Sequence, residues 1–285
     1  LVSVIAEVLD LDPSIVGVTT SFFDLGGNSL SATRVAARAA EALGVDVTVR
    51  DVFASSTVRE LAVAVTGRGA AAAAVTRVHP RPARIPLSYA QQRMWFINQF
   101  DTTSPTYNVP TVFQIRGDLD VDALRAAIVD VITRHEVLRT TYPSVGGTPV
   151  QQIVSADDAA QQLDWHVVDD DAAVAAAVST GFDVSTDLPI RVRVWRTDDR
   201  DHLVALVIHH IAFDGESVRP LIDDLLTAYS ARAVGAAPAF DPLAVQFADV
   251  ALWQREVLGA PGDGGSVLDH QLDHWRARLA GLPEV

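Results

Sequence analysis

Two stretches of this sequence hold side chains that can do chemistry. In HHIAFDGES, His209 and His210 end an apolar run, and Asp214 and Gly215 follow within five positions. Strand ends that feed loops are where layered α/β folds place reactive groups. An imidazole titrates near neutral pH, so it can take or share a proton. Asp214 is placed to hold an arginine or to shape the loop, and Gly215 to let backbone pass close to a substrate. The same residues also read as a buried structural histidine beside a turn. Adjacent histidines on a strand point to opposite faces. No second ligand pair has metal-site spacing, so no metal is expected.

In DLGGNSL, Gly26 and Gly27 permit a tight, exposed backbone before Asn28 and Ser29. A helical pattern starts at Ser29. Free N–H groups and the helix dipole favour negative charge there. A phosphate attached to the Ser29 hydroxyl would be stabilised where it stands. Asp24 is placed to help an enzyme and its metal ion approach. Ser29 or Asn28 equally reads as an ordinary N-cap. No His–Asp pair lies nearby to activate Ser29 as a nucleophile.

The elements around these stretches follow from periodicity. Residues 1–66 read as a small helical domain. Val2, Ile5, Ala6, Val8 and Leu9 share helical spacing, and a long loop spans 12–28. A helix over 29–43 places Leu30, Val35, Ala36 and Ala40 on one side and stops at Gly44. A short turn is expected around 49–53. A last helix starts with a capping box of Thr57 and Glu60. Residues 67–86, rich in Ala, Pro and Arg, read as a linker whose alanines have room for a helical turn.

From Leu87 the pattern changes. SYAQQRMWFINQF reads as a helix, YNVPTVFQIRG as a strand, and DVDALRAAIVDVITRHEVLRTTY as an amphipathic helix. Strands follow at PVQQIV and LDWHVV, with a helix at DDAAVAAAVSTGF. Residues 189–210 read as a hairpin whose second strand is continuously apolar and therefore central. ESVRPLIDDLLTAYSAR closes the set as a helix. The mixture predicts a layered α/β domain.

Composition narrows the function classes. The 285 residues suggest about two domains. The net charge of −14, with every basic residue an arginine, argues against nucleic acid or an anionic membrane as partner. No cysteine is present, which excludes disulfides, thiolate metal sites and a Cys nucleophile and fits a reducing compartment. No segment approaches the ~18 apolar residues of a membrane span.

The motifs carry a family resemblance. Residues 1–66 resemble a peptidyl carrier protein of nonribosomal peptide synthetases, through SFFDLGGNSL. Residues 87–285 resemble the condensation domain of the same enzymes, with its chloramphenicol-acetyltransferase-like fold. SYAQQRMWFI, RHEVLRTTY, HHIAFDGES and FADVALW appear in the family's order, with Tyr142 and Phe247 as departures. The fold implied is an all-α four-helix carrier bundle followed by an α/β lobe, an incomplete condensation domain whose second lobe is missing.

The resemblance implies that Ser29, within a pocket-side loop of Asp24 and Asn28, receives 4′-phosphopantetheine from coenzyme A through a phosphopantetheinyl transferase. The arm would carry a donor aminoacyl or peptidyl thioester supplied through an upstream adenylation domain. His210 would position the acceptor amine, brought by a downstream carrier domain, or accept its proton. His209 and Asp214 would be structural, with Asp214 paired to an arginine and Gly215 beside the reacting carbonyl. Arg93, Arg134 and Arg139 would frame the lobe, and Trp95, Trp195 and Trp253 would sit in its core. Glu216 stands where the family often has an apolar residue, and could influence acceptor choice. Arg68, Arg77, Arg81 and Arg84 would dock the carrier on the lobe. A cytoplasmic location is expected. An epimerization domain would keep the histidines, but the early motifs favour condensation. A non-catalytic carrier or binding module is the reading from a different class.

Overall fold

The computed structural model describes residues 1–68 and 74–282. The chain divides into two compact units, Leu1–Ala74 and Val75–Val285. The alanine turn expected after residue 69 falls largely on 69–73 and lies outside the described residues.

The first unit holds α1 (Val2–Leu9), α2 (Ser29–Leu43), α3 (Val49–Ala54) and α4 (Val58–Val65). Ile5, Phe22, Val35, Ala39, Val52 and Leu61 form its core. The inward stripe of α2 runs through Ala32, Val35, Ala36 and Ala39. Leu30, expected on that side, is 51% exposed. It precedes Ser31 and Ala32, which face inward, and one residue turns a helix by about 100°. Gly44 caps α2 with φ of 64°. The stretch expected as a turn is helix α3, started by a capping box of Thr48 and Asp51. Six residues are too few to show a helical period in sequence. Arg68 closes this unit with a bidentate pair to Asp51 at 2.6 and 2.8 Å.

In the second unit the main sheet consists of β2 (Asn108–Arg116), β6 (Asp164–Val168), β7 (Ile190–Asp198) and β8 (Asp201–His209), in the order β2-β8-β7-β6. Only the β6–β7 pairing is parallel. The apolar strand β8 is interior as expected, with Val204 to His209 all buried. A second sheet is built on β5 (Thr148–Ile153), which pairs with β1 (Ile85–Pro86), β3 (Thr140–Thr141) and β4 (Ser144–Val145). Helices α5 (Tyr89–Phe100), α6 (Val121–Arg134), α8 (Asp171–Ser179) and α9 (Val218–Arg232) complete the expected set. Ile128, Val131 and Ile132 of α6 and Leu221 and Leu225 of α9 share one core with Val204, Leu206 and Ile208.

Three segments differ from the sequence expectation. The helix predicted through 142 stops at Arg134; a 3₁₀ turn over Glu136–Arg139 and then β3 follow. Helix α7 (Ala156–Gln162), started by Ser155, was not expected. FADVALW lies in helix α10 (Phe247–Leu258), and α11 (Val267–Leu279) follows it. The linker stretch is not free at its second end. Arg81 pairs with Asp249 of α10 and with Glu136, and Ile85–Pro86 joins the sheet.

Candidate functional site

The predicted residues fall into two groups, one in each unit. In the first unit, Phe22 is buried and its ring lies against Gly27, where an added Cβ would collide with the ring. Gly26 adopts φ of 94°, a conformation that suits glycine. These two constraints explain the GG pair: one glycine turns the chain and the next makes room for a core ring. Asn28 then caps α2, its Oδ1 accepting the N–H groups of Leu30 and Ser31 at 3.0 Å each. Ser31 returns the bond by accepting the Asn28 N–H at 2.8 Å. The N-cap alternative therefore belongs to Asn28 alone. Ser29 is exposed at the first helical position, and its hydroxyl has no hydrogen bond among the described residues. Asp24 is also exposed, its N–H donating to the Ser21 carbonyl at 3.1 Å. A free hydroxyl on the first turn of a helix, where the dipole favours negative charge, fits attachment of a phosphate ester.

In the second unit, β8 delivers His209 inward and His210 outward. His209 is 2% exposed; its Nδ1 accepts the Ile211 N–H at 3.1 Å, and Tyr107 and Phe182 flank its ring. His210 is exposed. Its N–H extends the strand ladder to the Tyr107 carbonyl at 2.8 Å. Its Nδ1 lies 2.6 Å from the Phe213 carbonyl, which can only accept, so Nδ1 carries the proton. The neutral ring then presents Nε2 as a proton acceptor. His210 lines a cleft of about 630 Å³ with Arg93, Tyr107, Phe247 and Asp214.

Among the described residues Asp214 pairs with no arginine. Its Oδ1 accepts the N–H and hydroxyl of Ser217 at 3.0 and 2.6 Å, starting the 3₁₀ turn Gly215–Ser217 that leads into α9. Aspartate in the β region ahead of a turn satisfies helix-start donors. Gly215 meets nothing within 4 Å of an added Cβ, so close backbone approach is not what requires glycine within this unit. Glu216 lines an adjoining cleft of about 250 Å³ with His135, Val137 and Pro220.

The framing arginines have separate tasks. Arg134 donates to Asp224 at 2.8 Å and to the Asp241 carbonyl at 2.6 Å. Arg139 donates to the Val154 carbonyl, and burial pulls its pKa down. Arg93 is exposed and lines the His210 cleft. Trp95 packs against the core and donates its indole N–H to the Tyr142 carbonyl at 2.7 Å, while Trp195 and Trp253 are half-buried. Sequence reasoning missed Tyr107, which flanks both histidines. Its only sequence signal is its place just ahead of the strand that pairs with β8. No group of three or more His, Asp or Glu placed to hold a metal occurs among the described residues.

Burial pushes the His209 pKa down to about 4, and the neighbouring His210 adds to the shift. In the unfolded chain a histidine titrates near ~6.5, so between the two values the unfolded state binds more protons. This contribution to stability is fully present above pH ~6.5 and is lost as pH falls towards ~4, about 3 kcal/mol in all. Urea unfolding at pH 7, 5.5 and 4.5 should show that slope, and His209→Asn, which keeps an acceptor for Ile211, should flatten it. Equal slopes in both proteins would remove His209 as the source.

The sequence matches the phosphopantetheine attachment site family over residues 1–65 and the condensation domain family over residues 83–285. A dimodular nonribosomal peptide synthase of Bacillus subtilis is 40% identical over 289 residues, covering 100% of this chain and 12% of that protein. The chain spans 4 to 12% of the length of the first curated relatives it matches. The X-domain from teicoplanin biosynthesis, solved in complex with OxyB, is 33% identical with a TM-score of 0.65, over 74% of this chain and 46% of that one. The starter condensation domain of rhizomide synthetase RzmA shares the fold, with a TM-score of 0.56 at 18% identity over 71% of this chain and 49% of that one. With a carrier bundle that exposes a free serine at the start of α2 and an α/β lobe ending its central strand in paired histidines, this chain belongs to the condensation domain family of nonribosomal peptide synthetases, preceded by a phosphopantetheine carrier domain.

Proposed function

We propose that the chain takes part in forming an amide bond between a donor acyl group held at Ser29 and an acceptor amine at His210. The observation that carries this reading is the fixed His210 ring, with Nδ1–H on the Phe213 carbonyl and Nε2 left as acceptor in the cleft. The 4′-phosphopantetheine arm, taken from coenzyme A, supplies the thiol that carries the acyl group. Ser29 offers the hydroxyl for its attachment, and Asn28 holds the helix start so that Ser29 is not consumed as a cap. His210 orients the attacking amine through Nε2 and takes up its proton as the C–N bond forms; the acyl C–S bond breaks, and the proton passes to the departing sulfur, which is left as a free thiol. Asp214 and Ser217 hold the far end of the loop.

The reading assigns an upstream adenylation domain as the source of the acyl group and a downstream carrier as the source of the amine. It places the protein in a bacterial cytoplasm, on a route to an antibiotic or siderophore-type peptide. No helix among the described residues is long and apolar enough to cross a membrane.

Intact-protein mass after incubation with coenzyme A, Mg²⁺ and a broad phosphopantetheinyl transferase tests the first half. A gain of one arm, absent in Ser29→Ala, is expected. No gain in a folded protein would remove the carrier role. One observation favours a second reading, a docking module without catalysis: the related X-domain forms a complex with OxyB. Amide product from a donor loaded on Ser29, in a synthetase module containing this chain, separates the two.

A further inference from the structure

The carbonyl of Ile211 lies in the middle of the histidine loop, and the side chain that meets it comes from α5. We propose that Gln91 is the positioning residue that sets the His210 ring, by fixing the Ile211 peptide from outside the loop. The inference deepens the amide-forming reading and rests on it.

Gln91 is 1% exposed, and its three side-chain contacts fix which end of the amide points where. The Ser88 N–H donates to Gln91 Oε1 at 3.1 Å, so that atom must be oxygen. Ser88 Oγ in turn accepts the Gln91 N–H at 3.2 Å. The amide nitrogen is thereby aimed away from the helix start. Its two hydrogens go to the Tyr142 hydroxyl and the Ile211 carbonyl, each at 3.2 Å. Every donor and acceptor of the amide is used, in a buried place.

The Ile211 peptide is thus held on both sides. Its N–H donates to His209 Nδ1 and its carbonyl accepts from Gln91. Two residues further on, the Phe213 carbonyl receives the His210 Nδ1–H. If the Ile211 peptide turns, Phe213 moves with it, and the ring loses the contact that decides its tautomer. Tyr142 is the anchor at the other end: it is fully buried, its N–H donates to the Val184 carbonyl at 2.8 Å, and its carbonyl accepts from Trp95. Its hydroxyl stands where the family motif has phenylalanine, so this chain gives Gln91 a second acceptor. One amide therefore ties two other sequence motifs to the loop that carries the reacting imidazole.

The isosteric variant Gln91→Glu makes the idea testable through pH. As a neutral acid it can still accept from Ser88 and donate to Ile211. As a carboxylate it puts a negative oxygen against the Ile211 carbonyl. Burial raises a carboxyl pKa, so the neutral form persists well above the usual range. The other ionisable groups facing this place are the Tyr142 hydroxyl, His209 and His210 at the end of β8, and Arg93 and Asp214 in the cleft lining. Comparison with the parent protein at matched pH cancels their titration.

The experiment is NMR of the full chain. At pH 8, ¹⁵N-imidazole spectra should show His210 as the Nδ1–H form in the parent and as a mixture in Gln91→Leu. Amide shifts of Ile211 and Phe213 in Gln91→Glu should match the parent at low pH and depart as pH rises. In a synthetase module, Gln91→Leu should lower the rate of amide formation on the order of 100-fold with little change in KM. Gln91→Glu should recover towards the parent as pH falls. A Gln91→Leu protein that keeps the Nδ1–H form, or a Gln91→Glu protein whose shifts do not follow pH, overturns the proposal. If Gln91→Leu does not fold, Gln91→Glu decides alone. The NMR signature needs no turnover, so an inactive lobe would sink the amide-forming reading and leave this one standing.

Discussion

His210→Ala, placed in a synthetase module that contains this chain, should lower the rate of amide formation by about 10²–10⁴-fold, the range for loss of a positioned acid–base group. Loading of Ser29 should be unchanged, because Ser29 lies in the other unit, at a helix start capped by that unit's own Asn28. The geometry gives the reason for so large an effect. The ring is pinned by Phe213 and its backbone by Tyr107, so one nitrogen is committed and the other is held ready. His210→Gln offers a polar group without the basic nitrogen and should fall nearly as far. Product measured by mass spectrometry from a donor on Ser29 and an acceptor on the next carrier gives the rate. A His210→Ala module that condenses as fast as its parent would sink the assignment.

Arg81→Ala should destabilise the second unit by about 3–5 kcal/mol, the cost of leaving a buried charge without its partner. Asp249 is fully buried on α10. Its carboxylate accepts from Arg81 at 2.9 and 3.1 Å, from the Gln246 N–H at 2.8 Å and from the Val78 N–H at 3.3 Å. Burial alone would raise the Asp249 pKa, but these donors outweigh it and hold the carboxyl below its usual range. Arg81 also reaches Glu136 at 2.6 Å. A loss of this size is a large part of a domain's 5–15 kcal/mol. Urea unfolding followed by tryptophan fluorescence measures it. Arg81→Ala with Asp249→Leu should recover part of the loss, since the fully buried carboxylate is then gone and only the part-buried Glu136 has lost its partner. A single variant within 1 kcal/mol of the parent would show that the pair is not what holds 77–86 to the lobe.

This second case marks where sequence reading stopped. Arg81 looked like a docking group because it lies in a polar, proline-containing stretch. Its partners are 55 and 168 residues away, and no local pattern encodes such a contact. Asp214 differs in that its contact is local: Ser217 is only three residues on, a cap that sequence reading did not single out. The hairpin of β7 and β8 was legible because it combines alternation, a polar turn and a continuous apolar run. Helices α3 and α7 were not, because six and seven residues give less than two turns of pattern. The motif residues Ser29 and His210 were readable as types in a context. Which atom of Asn28, Phe213 or Gln91 meets them was not, because it depends on how loops close.

The ladder between β2 and β8 has a consequence for how this lobe can vary. It runs unbroken from Arg116↔Asp201 to Asn108↔His209, and the Tyr107 carbonyl adds one more rung at His210. Neighbouring positions on a strand alternate faces, so this register fixes the parity of the pair: the odd-numbered imidazole goes to the interior and the even-numbered one to solvent. A single-residue insertion or deletion within β8 would exchange them. The inward ring would then sit among solvent, and the outward one would be trapped between Tyr107 and Phe182 with Phe213 out of reach. Two adjacent histidines survive such a slip as letters but not as a site, so the strand is closed to any change in its length.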